Sequence, residues 1–242
     1  MRVLVTRPQR DARRWVQALA ERGLQATVLP LIDIAPVDAG RLTPRSADYR
    51  AIMFVSGNAV SHFPGGALTP FASRAWAPGP GTRDALLDAG VDESLIDSPA
   101  GDAAQFDSES LWDRVHTQVQ PGDRVLVVRG RGATGREAGR DWLARQIEAA
   151  GGQVEFMSVY ERRVPRLDAA QQALARRAAD DGSVWLFSSS EAVSNLLAAL
   201  PQQSWHNARA LATHPRIAQA THNANFAVVC ESQPALDDVI AS

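Results

Sequence analysis

The sequence predicts an α/β protein of two similar domains, each a parallel sheet flanked by helices. Three observations carry that prediction. Short apolar, strand-like runs alternate with amphipathic helical runs along the chain. The whole pattern then begins again near the middle. The 242 residues, 45% of them apolar, are enough for one large domain or two small ones with separate cores.

The elements follow in order. RVLVT reads as a strand; Trp15, Ala18, Leu19 and Arg22 then recur at helical spacing, and Gly23 closes the turn. QATVLPLIDIAP is extended and broken by Pro30 and Pro36. YRAIMFVS is a strand and NAVSHF starts a helix. SRAWAPGPG is a strand running into a turn, TRDALLDAG a helix, and DESLI a short extended piece. Asp107 or Ser108 caps the helix SESLWDRV. From there DRVLVVRG repeats MRVLVTRP, and DWLARQIEAAG repeats RWVQALAERG. QVEFMSVYERRVP repeats QATVLPLIDIAPV, and SVWLFSSSEAVSNLL repeats AIMFVSGNAVSHF. ALATHPRIAQAT repeats AWAPGPGTRDAL, and ESQPALDDVI repeats FDSESLWDRV. A period of about half the chain is too long for a solenoid and indicates a duplicated domain.

Composition removes several function classes. A net charge of -2 recruits neither nucleic acid nor an anionic membrane. Trp15, Trp112 and Trp142 sit on amphipathic helices and Trp185 in a strand, so they form no base-stacking array. Cys230, in the strand-like FAVVC, is the single cysteine, which excludes an internal disulfide and a cysteine zinc cage. His206, His214 and His222 lie on different elements and make no convincing metal set. No run approaches the roughly 20 apolar residues of a spanning helix, and MRVLVTRP is too short an apolar run for a signal peptide. The expectation is a reduced, cytoplasmic protein. All 25 residues of the Lys+Arg total are arginine. Schiff-base chemistry and the Walker A loop both need a lysine, so both are excluded.

The run VLVVRGRGATGREAGRDWL holds Gly130, Gly132 and Gly135 after a strand, with Glu155 about twenty residues on. Read as a dinucleotide fingerprint, the glycines approach a pyrophosphate and Glu155 holds a ribose hydroxyl. Read as an anion site, the same helix start, with Arg129, Arg131, Arg136 and Arg140, receives carboxylates. Read as a surface loop, it is solvated. The counterpart TRPQRD has no glycine but keeps Arg7 directly after the strand. Arginine and a helix start are what the two copies share, which favours the anion site.

The ordered set RVLVTRP, FVSGNAV, PGPGTRDAL, VLVVRG, VYERR, LFSSSEAV and THPRIA resembles the uroporphyrinogen-III synthase family along essentially the whole chain. The resemblance implies two flavodoxin-like domains joined by a two-stranded β ladder. It also implies a threading in which residues 1–35 join 161–242 and residues 36–160 form the second domain. Hinge segments would lie near 30–37 and 158–165. The implied reaction takes hydroxymethylbilane, a linear tetrapyrrole with four acetate and four propionate groups. It removes water, inverts ring D through a spiro intermediate and closes the macrocycle. No metal or organic cofactor is implied, no nucleic acid or membrane partner, and a monomer is expected. A module of the same fold that binds a tetrapyrrole without turnover is the alternative.

Site residues follow from the resemblance position by position. Tyr160 matches the family's tyrosine, whose phenol would hydrogen-bond the departing hydroxyl. Ser56, Gly57 and Asn58 follow one strand and Ser188, Ser189 and Ser190 its counterpart; both sets read as helix caps and, with the family, as substrate contacts. Thr82 matches a family threonine, and Arg216 is taken as its counterpart, where the family carries a small hydroxyl. Thr6, Arg7, Arg129, Gly130 and Arg136 complete the expected substrate contacts at the two strand ends.

Overall fold

The computed structural model describes residues 2–37, 44–64, 68, 70–100, 106–132 and 141–242. β1 (Arg2–Val5) buries Val3, Leu4 and Val5 and leads into α1 (Gln9–Glu21). Gly23, at φ +77°, supplies the left-handed turn that ends this helix. The extended stretch that follows is two strands, β2 (Gln25–Val28) and β3 (Asp33–Pro36), which are separated by Pro30 and bends at Leu31 and Ile32 and join different sheets. β4 (Ala51–Phe54) is wholly buried and is followed by the short α2 (Gly57–Ser61). β5 (Arg74–Trp76) precedes α3 (Pro80–Asp88), whose first residue is the proline a helix start accepts.

DESLI is shorter as a strand than expected. The Asp92 carboxylate accepts the Ser94 N–H at 2.8 Å and tightens Glu93–Leu95 into a 3-10 turn. Only Ile96–Asp97 remains extended, as β6. Asp107, not Ser108, caps α4 (Ser108–Val115), accepting from the Ser110 N–H at 2.9 Å. β7 (Arg124–Arg131), α5 (Asp141–Ala149) and the long β8 (Gln153–Arg163) follow. α6 (Ala169–Ala178) opens with a reciprocal capping box between Asp168 and Gln171. Then come β9 (Val184–Phe187), α7 (Ser190–Ala199), β10 (Arg209–Ala212), α8 (Pro215–Asn223), β11 (Val228–Glu231) and α9 (Leu236–Ala241). Among the described residues, no helix is long and apolar enough to cross a membrane.

The chain divides into two compact units, Met1–Ile34 with Arg163–Ser242, and Ala35–Arg162. One sheet has the order β11-β10-β9-β1-β2, with its neighbours parallel. Both its faces are covered, which is why its central strands are continuously apolar. Val3, Val5, Leu186 and Leu211 pack with Leu19 and Val239 on one side. Leu4, Trp185, Phe187 and Ala210 pack with Leu196, Trp205 and Phe226 on the other. The second sheet has the order β3-β8-β7-β4-β5-β6, with β8 through β6 parallel. Its core includes Met53, Trp76, Leu111, Val125, Val127, Leu143 and Ile147.

The registers show how the repeat is threaded. Val3 pairs with Val184 in the first sheet, as Val125 pairs with Ala51 in the second. β7 therefore stands where β1 stands, and β4 where β9 stands. In the first unit the β1 strand comes earlier in the chain than β9; in the second its counterpart β7 comes later than β4. The two units are one flavodoxin-like layout with permuted chain order. Strand order reverses between β1 and β9, and between β4 and β7. Ligands of open α/β sheets bind outside the carboxyl ends of the strands at such reversals.

Candidate functional site

In the second unit the reversal is flanked by Ser56 after β4 and by Arg129 and Gly130 at the end of β7. Ser56 lies at the mouth of α2 because its hydroxyl accepts the Ala59 N–H at 3.3 Å, closing the first turn. Tyr160 comes from the neighbouring β8, is only 4% exposed, and places its hydroxyl 3.0 Å from the Ser56 hydroxyl. β7 lies between β8 and β4, so the phenol must cross the β7 backbone to make that contact. It crosses at Gly130, where an added Cβ would fall 2.2 Å from a Tyr160 ring carbon. The β7–β8 register also slips there: Arg129 pairs with Ser158 but Gly130 with Tyr160, the mark of a bulge that re-aims a side chain. Gly130 is thus a glycine because a tyrosine ring lies on it.

A residue without space or turn demands would tolerate alanine; Gly130 has a space demand. Gly130→Ala is expected to lower unfolding stability by about 1–3 kcal/mol, as overpacking does. Denaturant melts of the two proteins check this, and an unchanged midpoint refutes the packing argument.

His62 was not singled out from sequence. Its ring is tilted against Tyr160 with centroids 5.9 Å apart. Its Nδ1 lies 2.9 Å from the Asn58 carbonyl, which can only accept, so Nδ1 carries a proton. The available signal was its position four residues after Asn58, on one helical face. Gly57 and Asn58 are partly buried in the first turn of α2. Arg129 is 9% exposed, with its guanidinium 3.9 Å above the ring of Phe156.

The first unit repeats this plan with different occupants. Arg7 stands in the register position of Arg129 and likewise lies on an aromatic, 4.2 Å above the Trp15 ring. Its Nε is buried without a hydrogen-bond partner, and burial pushes its pKa down to about 10, against a smaller opposing pull from Asp11. Ser189 matches Ser56 and caps α7, accepting from the Glu191 N–H at 3.2 Å. Ser190 donates to the Arg216 carbonyl at 3.3 Å, joining the starts of α7 and α8. Ser188 is partly buried beside them. His214 caps α8, its Nδ1 accepting the Arg216 N–H at 3.1 Å, so that ring nitrogen serves the helix start.

Several expectations are corrected. Thr6 is fully buried, and its hydroxyl donates to the Leu186 carbonyl at 2.7 Å; its proton secures β1 to β9 and is not offered to a ligand. Arg216 is not the counterpart of Thr82. Gly79 and His214 are the equivalent caps and Pro80 and Pro215 the first helical residues, so Arg216 matches Gly81 and Thr82 matches Ile217. Thr82 and Ile217 are 7% and 6% exposed, both turned inward, while Arg216 is exposed.

The dinucleotide reading fails on Glu155. That residue pairs in register with Leu126, four residues or about 13 Å of strand from Gly130, towards the opposite end of β7. There Arg124 donates to its carboxylate at 2.6 Å and the Tyr49 hydroxyl at 3.0 Å, which hold its pKa below the usual range. Arg131 is taken by Glu161 at 2.9 Å. Gly135, Arg136 and Arg140 lie outside the described residues.

A flavodoxin-like sheet used twice, with its polar groups gathered at each strand-order reversal, defines a two-unit α/β ligand-site protein. Comparison makes the class specific. The family model described as uroporphyrinogen-III synthase HemD matches residues 13–241. A uroporphyrinogen-III synthase of Chlorobaculum parvum is 30% identical over 178 residues, 70% of this chain and 67% of the relative. One from Salmonella typhimurium is 28% identical over 197 residues, 72% of this chain and 70% of the relative. The crystal structure of uroporphyrinogen-III synthetase from Helicobacter pylori shares the fold, with a TM-score of 0.61 at 16% identity over 100% of this chain and 97% of that one. A mutant uroporphyrinogen III synthase from Thermus thermophilus aligns with a TM-score of 0.54 at 14% identity, over 100% of this chain and 96% of that one. The chain belongs to the uroporphyrinogen-III synthase family, lyases of heme biosynthesis, and is an enzyme.

Proposed function

We propose that this chain converts hydroxymethylbilane to uroporphyrinogen III, with loss of water and inversion of ring D. The observation that carries the reading is the buried Tyr160 phenol at the strand-order reversal of the second sheet, in a chain that matches the family over residues 13–241. The substrate is a flexible polyanion that closes unaided to the uninverted isomer. The enzyme's task is therefore to favour one geometry over another. That is catalysis by positioning, with charge stabilised as hydroxide departs. Tyr160 donates a hydrogen bond to the leaving hydroxyl. Arg7 and Arg129 hold substrate carboxylates, and Ser188 and Asn58 hydrogen-bond others. No cofactor enters any step. The chain acts as a monomer in the cytoplasm; light scattering at its 26.1 kDa mass checks the first point.

The test supplies freshly made hydroxymethylbilane, oxidises the products and separates the uroporphyrin isomers. Type III in large excess is expected. Type I alone, at the rate of the blank, overturns the proposal and leaves a binding module.

A further inference from the structure

We infer that Ser56 is a positioning residue for Tyr160 and not a substrate ligand; this rests on the synthase reading above. The argument follows the protons. The Ala59 N–H can only donate, and it is shared between the Ser56 carbonyl at 2.9 Å and the Ser56 hydroxyl oxygen at 3.3 Å. The Ser56 hydroxyl oxygen is then an acceptor towards the helix, and its own single proton is directed elsewhere. The Tyr160 oxygen lies 3.0 Å away. If the phenol donated to Ser56, it would have no proton left for a leaving hydroxyl. With Ser56 donating, the order is Ala59 N–H to Ser56 O–H to Tyr160 O–H, and the phenol proton points onward. Each link polarises the next, so the phenol becomes a better donor than an isolated one.

Packing keeps the phenol from escaping this arrangement. Gly130 lies under the ring, and a single added carbon there would fall 2.2–2.7 Å from three ring atoms. The bulge at Gly130 fixes where β8 launches the side chain. His62 closes on the ring from the carboxyl end of α2, with centroids 5.9 Å apart. Ser189, the register counterpart of Ser56, is also a helix cap, accepting from the Glu191 N–H two residues on where Ser56 accepts from Ala59 three residues on. Both tyrosines of the chain, Tyr49 and Tyr160, belong to the second unit, so the first has none to meet Ser189. The cap is common to both units; the contact to a phenol belongs to the second.

The experiment uses the fact that the chain has two tyrosines, Tyr49 and Tyr160. The full-length protein labelled with 3-fluorotyrosine gives two fluorine resonances, and Tyr160→Phe identifies which is which. Ser56→Ala is expected to shift the Tyr160 resonance and leave that of Tyr49 in place, and Ser56→Thr, which keeps hydroxyl and cap, to restore it. In the isomer assay, Ser56→Ala is expected to lower kcat about tenfold with KM within about twofold, the size of one lost hydrogen bond. In a Tyr160→Phe background, Ser56→Ala is expected to cost nothing further. A Tyr160 resonance indifferent to Ser56 overturns the contact. A raised KM with unchanged kcat, or full additivity with Tyr160→Phe, overturns positioning in favour of direct substrate binding. A wild-type protein that makes only type I overturns the synthase reading, and with it the catalytic use of the contact, while the fluorine result still reports whether the contact exists.

Discussion

Replacing Tyr160 by phenylalanine is expected to lower kcat about a hundredfold while the protein folds normally. The ring contributes packing and the hydroxyl carries the proposed chemistry, and this substitution separates them. Phenylalanine keeps the ring that lies over Gly130 and its tilted contact with His62. It removes only the oxygen 3.0 Å from Ser56. Departure of hydroxide from the hydroxymethyl group leaves a strong base, and a hydrogen bond to it strengthens as charge develops. That gain exists in the transition state and hardly in the ground state, so kcat falls and KM stays within a few fold. Isomer-resolved turnover with a circular dichroism melt checks both halves. Unchanged turnover removes the catalytic role; collapse of the melt shows that the hydroxyl was structural.

Arg7→Met is expected to raise KM about thirtyfold and, in the same protein, to raise the melting temperature by about 2–4 °C. The two effects share one cause. The Arg7 Nε is buried without a partner, and that burial lowers its pKa from the ordinary guanidinium range to about 10. The folded chain holds the proton less tightly than the unfolded chain does. The destabilisation is therefore present in full below about 10 and is relieved only as pH rises from there towards the ordinary guanidinium range. At neutral pH the charge costs stability. Stacking on Trp15 returns about 0.5–1 kcal/mol, less than a lowering at about 1.4 kcal/mol per pH unit implies before relaxation. On the proposed role of Arg7, a charge kept at a cost in the free protein is compensated when a substrate carboxylate arrives. Methionine preserves volume and the contact with Trp15 but has no charge. A lower melting temperature, or an unchanged KM, refutes the account.

Much of the fold was legible because it rests on short-range rules. Alternating periodicity located the strands and helices, and Ser56, Ser189 and Asp107 announced their helix starts by residue type alone. The repeat was legible because both units bury the same pattern in the same register. Errors arose where a side chain's partner lies far along the chain. Thr6 reads as an available hydroxyl until Leu186, 180 residues away, takes its proton. Glu155 sits at the right spacing for a ribose, yet strand direction puts it at the far end of β7, against Arg124 and Tyr49. Counting letters paired Thr82 with Arg216; the helix caps pair it with Ile217.

By itself, then, the sequence determined the class of fold, the duplication, the exclusion of lysine chemistry and the tyrosine on which the reaction is proposed to turn. Tertiary structure decided which polar groups are free to act. Spacing in a chain fixes which face of a strand or helix a residue occupies, but hydrogen-bond partners are chosen by strand order and register. Gly130 shows the difference most simply. In sequence it is the first glycine of a nucleotide fingerprint; in the folded sheet it is the gap through which a phenol on β8 reaches a serine on the far side of β7.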